Sequence, residues 1–286
     1  MDLSIVEWFQ SLSSTLLDYV VLFITEFGGE TVFLAIAALL FWTVNKKYAY
    51  RLTMFVLLNV MVNSILKNVF RRPRPFQTDS DVVSIGEKTH GYSMPSGHAT
   101  NATALALMLN ERYRTFKKWV TPLLVTMVVL VALSRVYLGQ HYLTDVLAGI
   151  AITSVVYLAV RRIAPVMRIS TERLVFFASP LLILLLIFVQ DENYFIAVAA
   201  ILGGTLGYHL EAKYIDYDVR APFVIQVVKF LIGSAVALIL KEGLKAILPY
   251  PEAENILSLA LDLVRYFILA LWLTLGAMFT FNKLFP

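Results

Sequence analysis

The sequence predicts an all-α, polytopic membrane protein, and three observations predict it. Apolar residues make up 59% of the 286-residue chain and charged residues only 15%, too few charges for a soluble globular surface of this length. Mean hydropathy is +0.73. Several apolar runs approach the ~20 residues that a helix needs to cross a bilayer, whereas the alternating segments of an outer-membrane barrel, each about ten residues, are absent.

Along the chain, the opening MDLSIVEWFQSLSS has no basic region and no small-residue cleavage site, so removal of a signal peptide is not expected. Residues 12–27, LSSTLLDYVVLFITEF, are amphipathic and stop at Gly28-Gly29. They are read as an interfacial helix in preference to a short span. Candidate spans follow near 31–44, 50–69, 98–111, 119–138, 142–160, 174–190, 194–210, 225–247 and 257–281. No low-complexity linker, soluble insertion or internal repeat interrupts them, so a single membrane domain is expected. The chain has no cysteine, which excludes disulfides and thiol-ligated metals. Its net charge of +4 is dispersed, which argues against a nucleic-acid partner and fits the flanks of membrane segments.

Basic residues favour alternate loops: Lys46, Lys47 and Arg51; then Arg112, Arg114, Lys117 and Lys118; then Arg161, Arg162, Arg168 and Arg173; then Lys213 and Arg220. The positive-inside rule turns these loops to the cytoplasm. Residues 70–97, 134–141 and 190–194 then face the extracytoplasmic side. Lys67, Arg71, Arg72, Arg74 and Arg135 sit on that side, where cations are normally scarce. An anionic ligand is the simplest reason to keep them there.

Three polar clusters fall at this face: Lys67-NVFRRP-Arg74-Pro75, then Pro95-Ser96-Gly97-His98, then Ser134-Arg135-VYLGQ-His141-YLT-Asp145. A charge at mid-bilayer costs ~2.5–3.5 kcal/mol on insertion scales, so such a set is tolerated beside water or beside one another. Taken singly, each has an ordinary explanation: a basic helix end reaching to headgroups, a Pro/Ser helix start, a surface His/Asp pair. Together they describe a phosphate site. Lys67 supplies a point charge and Arg74 and Arg135 two planar forks. Ser96 and Gly97 stand where a helix begins, so backbone N–H groups and the serine hydroxyl add donors at the positive end of the dipole. His141 and Asp145, four residues apart, share a helix face; the carboxylate can fix the ring tautomer and leave the other nitrogen bare to attack phosphorus. His98, from a different helix, is placed to protonate the departing oxygen. A two-step displacement through a phosphohistidine becomes possible.

These residues resemble a known family, the type 2 phosphatidic acid phosphatases, whose wider group includes glucose-6-phosphatase and vanadium-dependent haloperoxidases. The family signature is K-x6-R-P, P-S-G-H and S-R-x5-H-x3-D, and the chain satisfies all three parts over residues ~25–160. The resemblance implies that Lys67, Arg74 and Arg135 are phosphate ligands completed by Ser96 and Gly97. It makes His98 the general acid, His141 the nucleophile and Asp145 its orienting partner. It further implies a core of six helices and a reaction needing neither metal nor other cofactor. The expected organisation is residues 1–30 as the N-terminal interfacial helix or short span, 31–165 as the catalytic core, and 166–286 as the remaining core with about three additional C-terminal spans.

The resemblance and the predicted topology together imply a lipid phosphatase of a bacterial plasma membrane, its partners being the bilayer and a lipid phosphate. Phosphatidic acid, phosphatidylglycerophosphate, a polyprenyl diphosphate and a long-chain-base phosphate are all compatible substrates. A phosphotransferase using the same intermediate stays open, as does a lipid-phosphate transporter. The intact His98, His141 and Asp145 favour an enzyme over the transporter, since binding alone needs no nucleophile. Loop 76–94 is expected to border the entrance, with His90 as an ordinary loop histidine. Asp262 and Arg265 are expected to be a structural pair, and His209 with Glu211 to lie in a cytoplasmic loop.

Overall fold

The computed structural model describes residues 2–167, 171–248 and 256–285, without the side chains of 114, 117, 164–167 and 171–176. Arg168 therefore lies outside the described residues, as do the side chains of Arg114, Lys117 and Arg173. Every regular element among the described residues is helical: α1 Asp2–Gln10, α2 Thr15–Thr25, α3 Glu30–Thr43, α4 Lys46–Phe70, α5 Pro75–Thr78, α6 Gly97–Arg112, α7 Lys117–Tyr137, α8 Leu143–Met167, α9 Thr171–Leu185, α10 Glu192–Tyr214, α11 Phe223–Ile247, α12 Ile256–Leu271 and, after a π turn at Trp272–Gly276, α13 Ala277–Leu284.

All nine expected spans overlap helices, and among the described residues six stretches are individually long and apolar enough to cross a membrane. The protein is an integral membrane protein. Helices α3, α6 and α9 have 14, 16 and 15 residues, or roughly 21–24 Å at ~1.5 Å per residue against a hydrocarbon core of ~30 Å. By length alone they stop short of a full crossing. The eleven residues of α2 are shorter still; α2 and α3 together make one further candidate span, bent by 48° at the intervening glycines.

The chain divides into two compact units: one holds the residues through Phe33 and Val62–Val166, the other Leu34–Met61 and the chain from Met167 onward. Helix α4 contributes to both. In the first unit α6 lies against α7, and α1 and α2 also pack on α7. Ala102 and Ala106 of α6 meet Val128 and Val131 of α7, small residues that let the helix backbones approach where lipid offers no hydrophobic drive. A second cluster joins Val6, Val82, Ala99, Ala132, Val136, Tyr142 and Val146, bringing α1, loop 79–96 and the starts of α6 and α8 onto the end of α7.

Local chemistry decides where the helices stop. Helix α4 ends as Arg71 adopts a left-handed φ of 47° and donates its N–H to the Lys67 carbonyl at 2.9 Å, and Pro73 and Pro75 bar any continuation. Arg74 is thereby delivered off the helix axis. Helix α7 ends at Tyr137, and Gly139 turns the chain with φ 69°. A Cβ there would stand 2.5 Å from the Val83 carbonyl, so this turn needs glycine. The next residues fold back so that the N–H groups of Gln140 and His141 both donate to the Arg135 carbonyl.

The second unit is built on α10, which packs along α12 and the π turn, with α11 on α12. Trp42 of α3 is fully buried and donates Nε1–H to the Leu273 carbonyl at 2.8 Å, while Tyr50 of α4 stacks on Tyr208 at 4.4 Å. The Asp262–Arg265 pair is formed and buried, at 3.0 Å. His209 and Glu211 lie inside α10 and not in a loop: the buried Glu211 carboxylate accepts from Lys46 at 2.8 Å and from the Tyr217 N–H at 3.0 Å, and these contacts carry the helix on to Tyr214.

Helix α8 approaches the start of α6 so closely that a Cβ on Gly149 would meet the Ser96 carbonyl at 2.8 Å and Thr100 Oγ1 at 3.1 Å. The nearest obstacle is backbone, which has little room to yield. Gly149→Ala is expected to destabilise the protein by about 1–3 kcal/mol, read as a lower midpoint of thermal unfolding in detergent.

Candidate active site

All eight residues picked out in the sequence belong to the first unit, and seven of them, all but Gly97, are tied to one another by hydrogen bonds, an ion pair or charge interactions. Ser96 is the N-cap of α6: its side chain accepts from the Ala99 N–H at 3.5 Å, and the Met94–Pro95 peptide bond just before it is cis. The Ser96 backbone N–H, expected to face an anion, instead donates to the Asp145 carbonyl at 3.0 Å. This bond ties the start of α6 to the first turn of α8. The Ser96 hydroxyl and the backbone N–H groups of Gly97 and His98 are the other donors of this helix end. The Asn63 amide of α4 donates to the Pro95 carbonyl at 3.2 Å and to Thr100 Oγ1 at 3.1 Å, bracing the same turn.

His141 is buried, 2% exposed, between a carboxylate and a cation. Arg74 Nη1 lies 3.2 Å from its Nε2. An arginine has no acceptor, so Nε2 receives this bond and the ring proton resides on Nδ1. Nδ1 faces Asp145 Oδ2 at 3.6 Å, longer than the direct hydrogen bond expected from the i,i+4 spacing. Ser93 fills the difference: its hydroxyl stands 3.4 Å from Nδ1 and donates to Asp145 Oδ2. The same Oδ2 accepts from the Tyr142 N–H at 2.9 Å, and Oδ1 accepts from Arg72 at 2.8 Å. With its lone pairs so engaged, the fully buried carboxylate meets the ring through the serine.

The cations differ in how fully protein occupies them. Arg74 donates to the carbonyls of Gly91 at 3.0 Å, Gln140 at 3.0 Å and His90 at 2.8 Å, besides the His141 nitrogen. It thereby pins the end of loop 76–94 beside the ring. Gln140 fastens the same loop farther along, donating to Ser84 at 2.7 Å and accepting from Thr89. Arg135 is 4% exposed and gives one bond, Nη1 to Thr25 Oγ1 at 3.0 Å. Its Nε and Nη2 have no acceptor among the described residues. Buried guanidinium N–H groups ordinarily find partners, and those of these two nitrogens are donors that an anion can accept. Lys67, in the last turn of α4, and the two arginines all act electrostatically on both His141 and His98.

Residues 48–168 match the PAP2 superfamily, and residues 195–286 match the transmembrane extension of PAP2 superfamily phosphatases. The chain carries a PAP2 superfamily domain followed by the PAP2 transmembrane extension. Among similar proteins, an undecaprenyl-diphosphatase of Sulfolobus acidocaldarius is 32% identical over 46% of this chain and 64% of its own length. A sphingosine-1-phosphate phosphatase 1 of Rattus norvegicus is 30% identical over 50% of this chain and 34% of its own. A lipid A 4'-phosphatase of Porphyromonas gingivalis is 34% identical over 44% and 57%. The chain thus spans between about a third and two thirds of the length of these relatives.

Within the PAP2 domain, sequence reasoning missed Ser93 and Arg72 as neighbours of the His141 site. Arg72 was visible as a cation on an unexpected side, but only folding brings it to Asp145. Ser93, in the loop GYSM, carries no signal of its own.

Burial, followed by the charges of Arg74, Arg135 and Lys67, holds the His141 ring well below its ordinary 6.5. In the unfolded chain the ring titrates near that ordinary value. Between the two values the unfolded chain binds a proton that the folded protein refuses, so stability contributed by the neutral ring is complete above pH ~6.5 and is lost as pH falls below it. The thermal midpoint is expected to drop on acidification from about pH 7.5 to about pH 5, and to drop less in His141→Gln. Parallel midpoint curves for the two proteins would contradict this assignment.

Proposed function

We propose that the protein is an integral membrane phosphatase that hydrolyses a phosphomonoester or diphosphate carried by a lipid, through a phosphohistidine on His141. One observation carries the proposal: a buried neutral imidazole with Nδ1 held by Ser93 and Asp145 and Nε2 turned to Arg74, beside an Arg135 whose Nε and Nη2 lack acceptors. A phosphate dianion entering this cluster draws Arg74 onto its oxygens and so releases the Nε2 lone pair. Nε2 then bonds to phosphorus as the bond from phosphorus to the lipid oxygen breaks. The departing oxygen takes a proton from His98, and Asp145 offsets the positive charge on the phosphorylated ring through Ser93. Water next attacks phosphorus, giving a proton to His98; the P–N bond breaks, and phosphate leaves with His141 restored. Lys67, Arg74, Arg135, Ser96 and Gly97 stabilise the equatorial oxygens, whose charge is greatest in the transition state. The two relatives named as an undecaprenyl-diphosphatase and a sphingosine-1-phosphate phosphatase support a substrate that carries its phosphate on a lipid.

Hydrolysis by the purified protein, measured as phosphate release from phosphatidic acid, phosphatidylglycerophosphate, a polyprenyl diphosphate and a long-chain-base phosphate, tests the proposal directly. His141→Ala is expected to lower the rate on the order of 10³-fold or more while the protein still folds. Most of the activity surviving in that variant would remove the phosphohistidine. The proposed steps need no metal ion, so activity is expected to persist in EDTA.

The distribution of cations supports a site facing the extracytoplasmic side of a bacterial plasma membrane. In intact cells a cysteine introduced at Thr89 is expected to react with an impermeant thiol reagent and one at Lys117 is not. The reverse pattern would invert the topology.

A further inference from the structure

We propose that Asp2, Arg72 and Asp145 form an ionic chain that sets the position and basicity of the His141 ring, making Arg72 and Asp2 positioning residues for the chemistry. The inference rests on the reading of His141 as nucleophile and adds to it a device that spans α1, the α4–α5 connection and α8. Arg72 presents both ends of its fork: Nη2 to Asp2 Oδ2 at 2.8 Å, and Nη1 to Asp145 Oδ1 at 2.8 Å. Nη1 also donates to Thr144 Oγ1 at 2.6 Å, and Thr144 in turn donates to Asp2. The guanidinium lies 3.8 Å over the Tyr142 ring, which fixes its plane. Asp145 is fully buried, while the Arg72 and Asp2 side chains are 28% and 23% exposed. The chain thus runs from the surface helix α1 to the carboxylate behind the nucleophile.

The arrangement exceeds what docking α1 would require. The cluster of Val6 with Val82, Val136 and Val146 already seats α1 by apolar contact. A single arginine shared between two carboxylates divides its charge between them, and whatever Asp2 takes is withheld from Asp145. The groups that face His141 are Asp145 and Ser93 on one side and Arg74, Arg135, Lys67 and His98 on the other. Asp145 itself meets Arg72, Ser93 and the Tyr142 N–H. Among the described residues Arg72 is thus the cation hydrogen-bonded to the carboxylate that supports His141, and it is itself balanced by a second acid. It touches neither ring nitrogen, so its effect on the nucleophile passes through Asp145.

Opposite changes at the two ends should move the nucleophile in opposite directions. Arg72→Gln removes the cation from Asp145, the carboxylate holds the Nδ1 proton more strongly, and His141 becomes easier to protonate. The acid limb of kcat/KM is expected to rise by on the order of 0.5–1 pH unit, with kcat down about tenfold and KM within about twofold, because Arg72 does not reach the phosphate. Asp2→Asn leaves the whole of Arg72 to Asp145, and the limb is expected to fall, by less. Arg72→Lys, which keeps charge but loses the fork, should hold the limb near the parent value while lowering kcat. Substrate ionisation is common to all four proteins and cancels in the comparison. A purely structural staple would reduce the folded fraction and the amplitude without moving the limb.

The 15N shifts of His141 in detergent-solubilised protein, assigned by loss of the signals in His141→Gln, report the same protonation without turnover. Opposed displacements in Arg72→Gln and Asp2→Asn establish the chain; coincident titrations, or displacements of the same sign, overturn it. Should Arg72→Gln not fold, Asp2→Asn, altered at a partly exposed end, decides by its sign. Should the parent protein hydrolyse none of the lipid phosphates, the reading as a phosphatase fails, while the His141 titrations still judge the ionic chain.

Discussion

Burial of the Asp145 carboxylate at zero exposure obliges the fold to surround it with donors, because an ionised group removed from water without partners costs several kcal/mol. The donors come from separate parts of the chain: Arg72 beyond the end of α4, Ser93 from the long loop, and the Tyr142 N–H from the turn before α8. The backbone carbonyl of the same residue accepts from Ser96 at the head of α6. Satisfying one aspartate therefore fixes the ends of three helices and the end of the loop relative to one another. His141 inherits its orientation from that arrangement.

A neutral ring among cations follows from the same geometry. Arg74, Arg135 and Lys67 bear on His141 electrostatically while the ring lies out of solvent, so protonation is penalised by burial and repulsion alike. Arg74 has four protein acceptors around its fork, whereas Arg135 has two donors unmatched. The first is preorganised by the loop and the His141 ring, and the second is held ready by Thr25 alone. Electrostatic preorganisation of this kind removes the need to rearrange dipoles during the reaction.

Much of this was legible in the sequence because the signals are compositional or local. Apolar runs located the helices, and the fixed spacings around Lys67, Arg74, Pro95–His98 and Arg135–Asp145 located the residues that gather in the first unit. The candidate spans at 31–44 and 98–111 were already shorter than a full crossing, as α3 and α6 are, because the polar breaks that bound them are visible in the sequence. The contribution of Ser93, by contrast, was hidden. A serine in a loop is informative only once the His141–Asp145 separation is known to be 3.6 Å, a distance that the i,i+4 rule understates when the carboxylate is drawn to Arg72 and Tyr142. Similarly, the Ser96 N–H looked available in sequence because its acceptor lies on another helix.

The C-terminal extension acquires a physical role from its packing. Its helices form one compact unit with Leu34–Met61, through Trp42 against Phe281, Tyr50 on Tyr208 and Lys46 with Glu211. Those contacts hold the first half of α4, and the same uninterrupted helix ends in the turn that bears Lys67. Packing of the additional helices thus belongs to the second unit, where it buries Trp42 and seats the N-terminal half of α4.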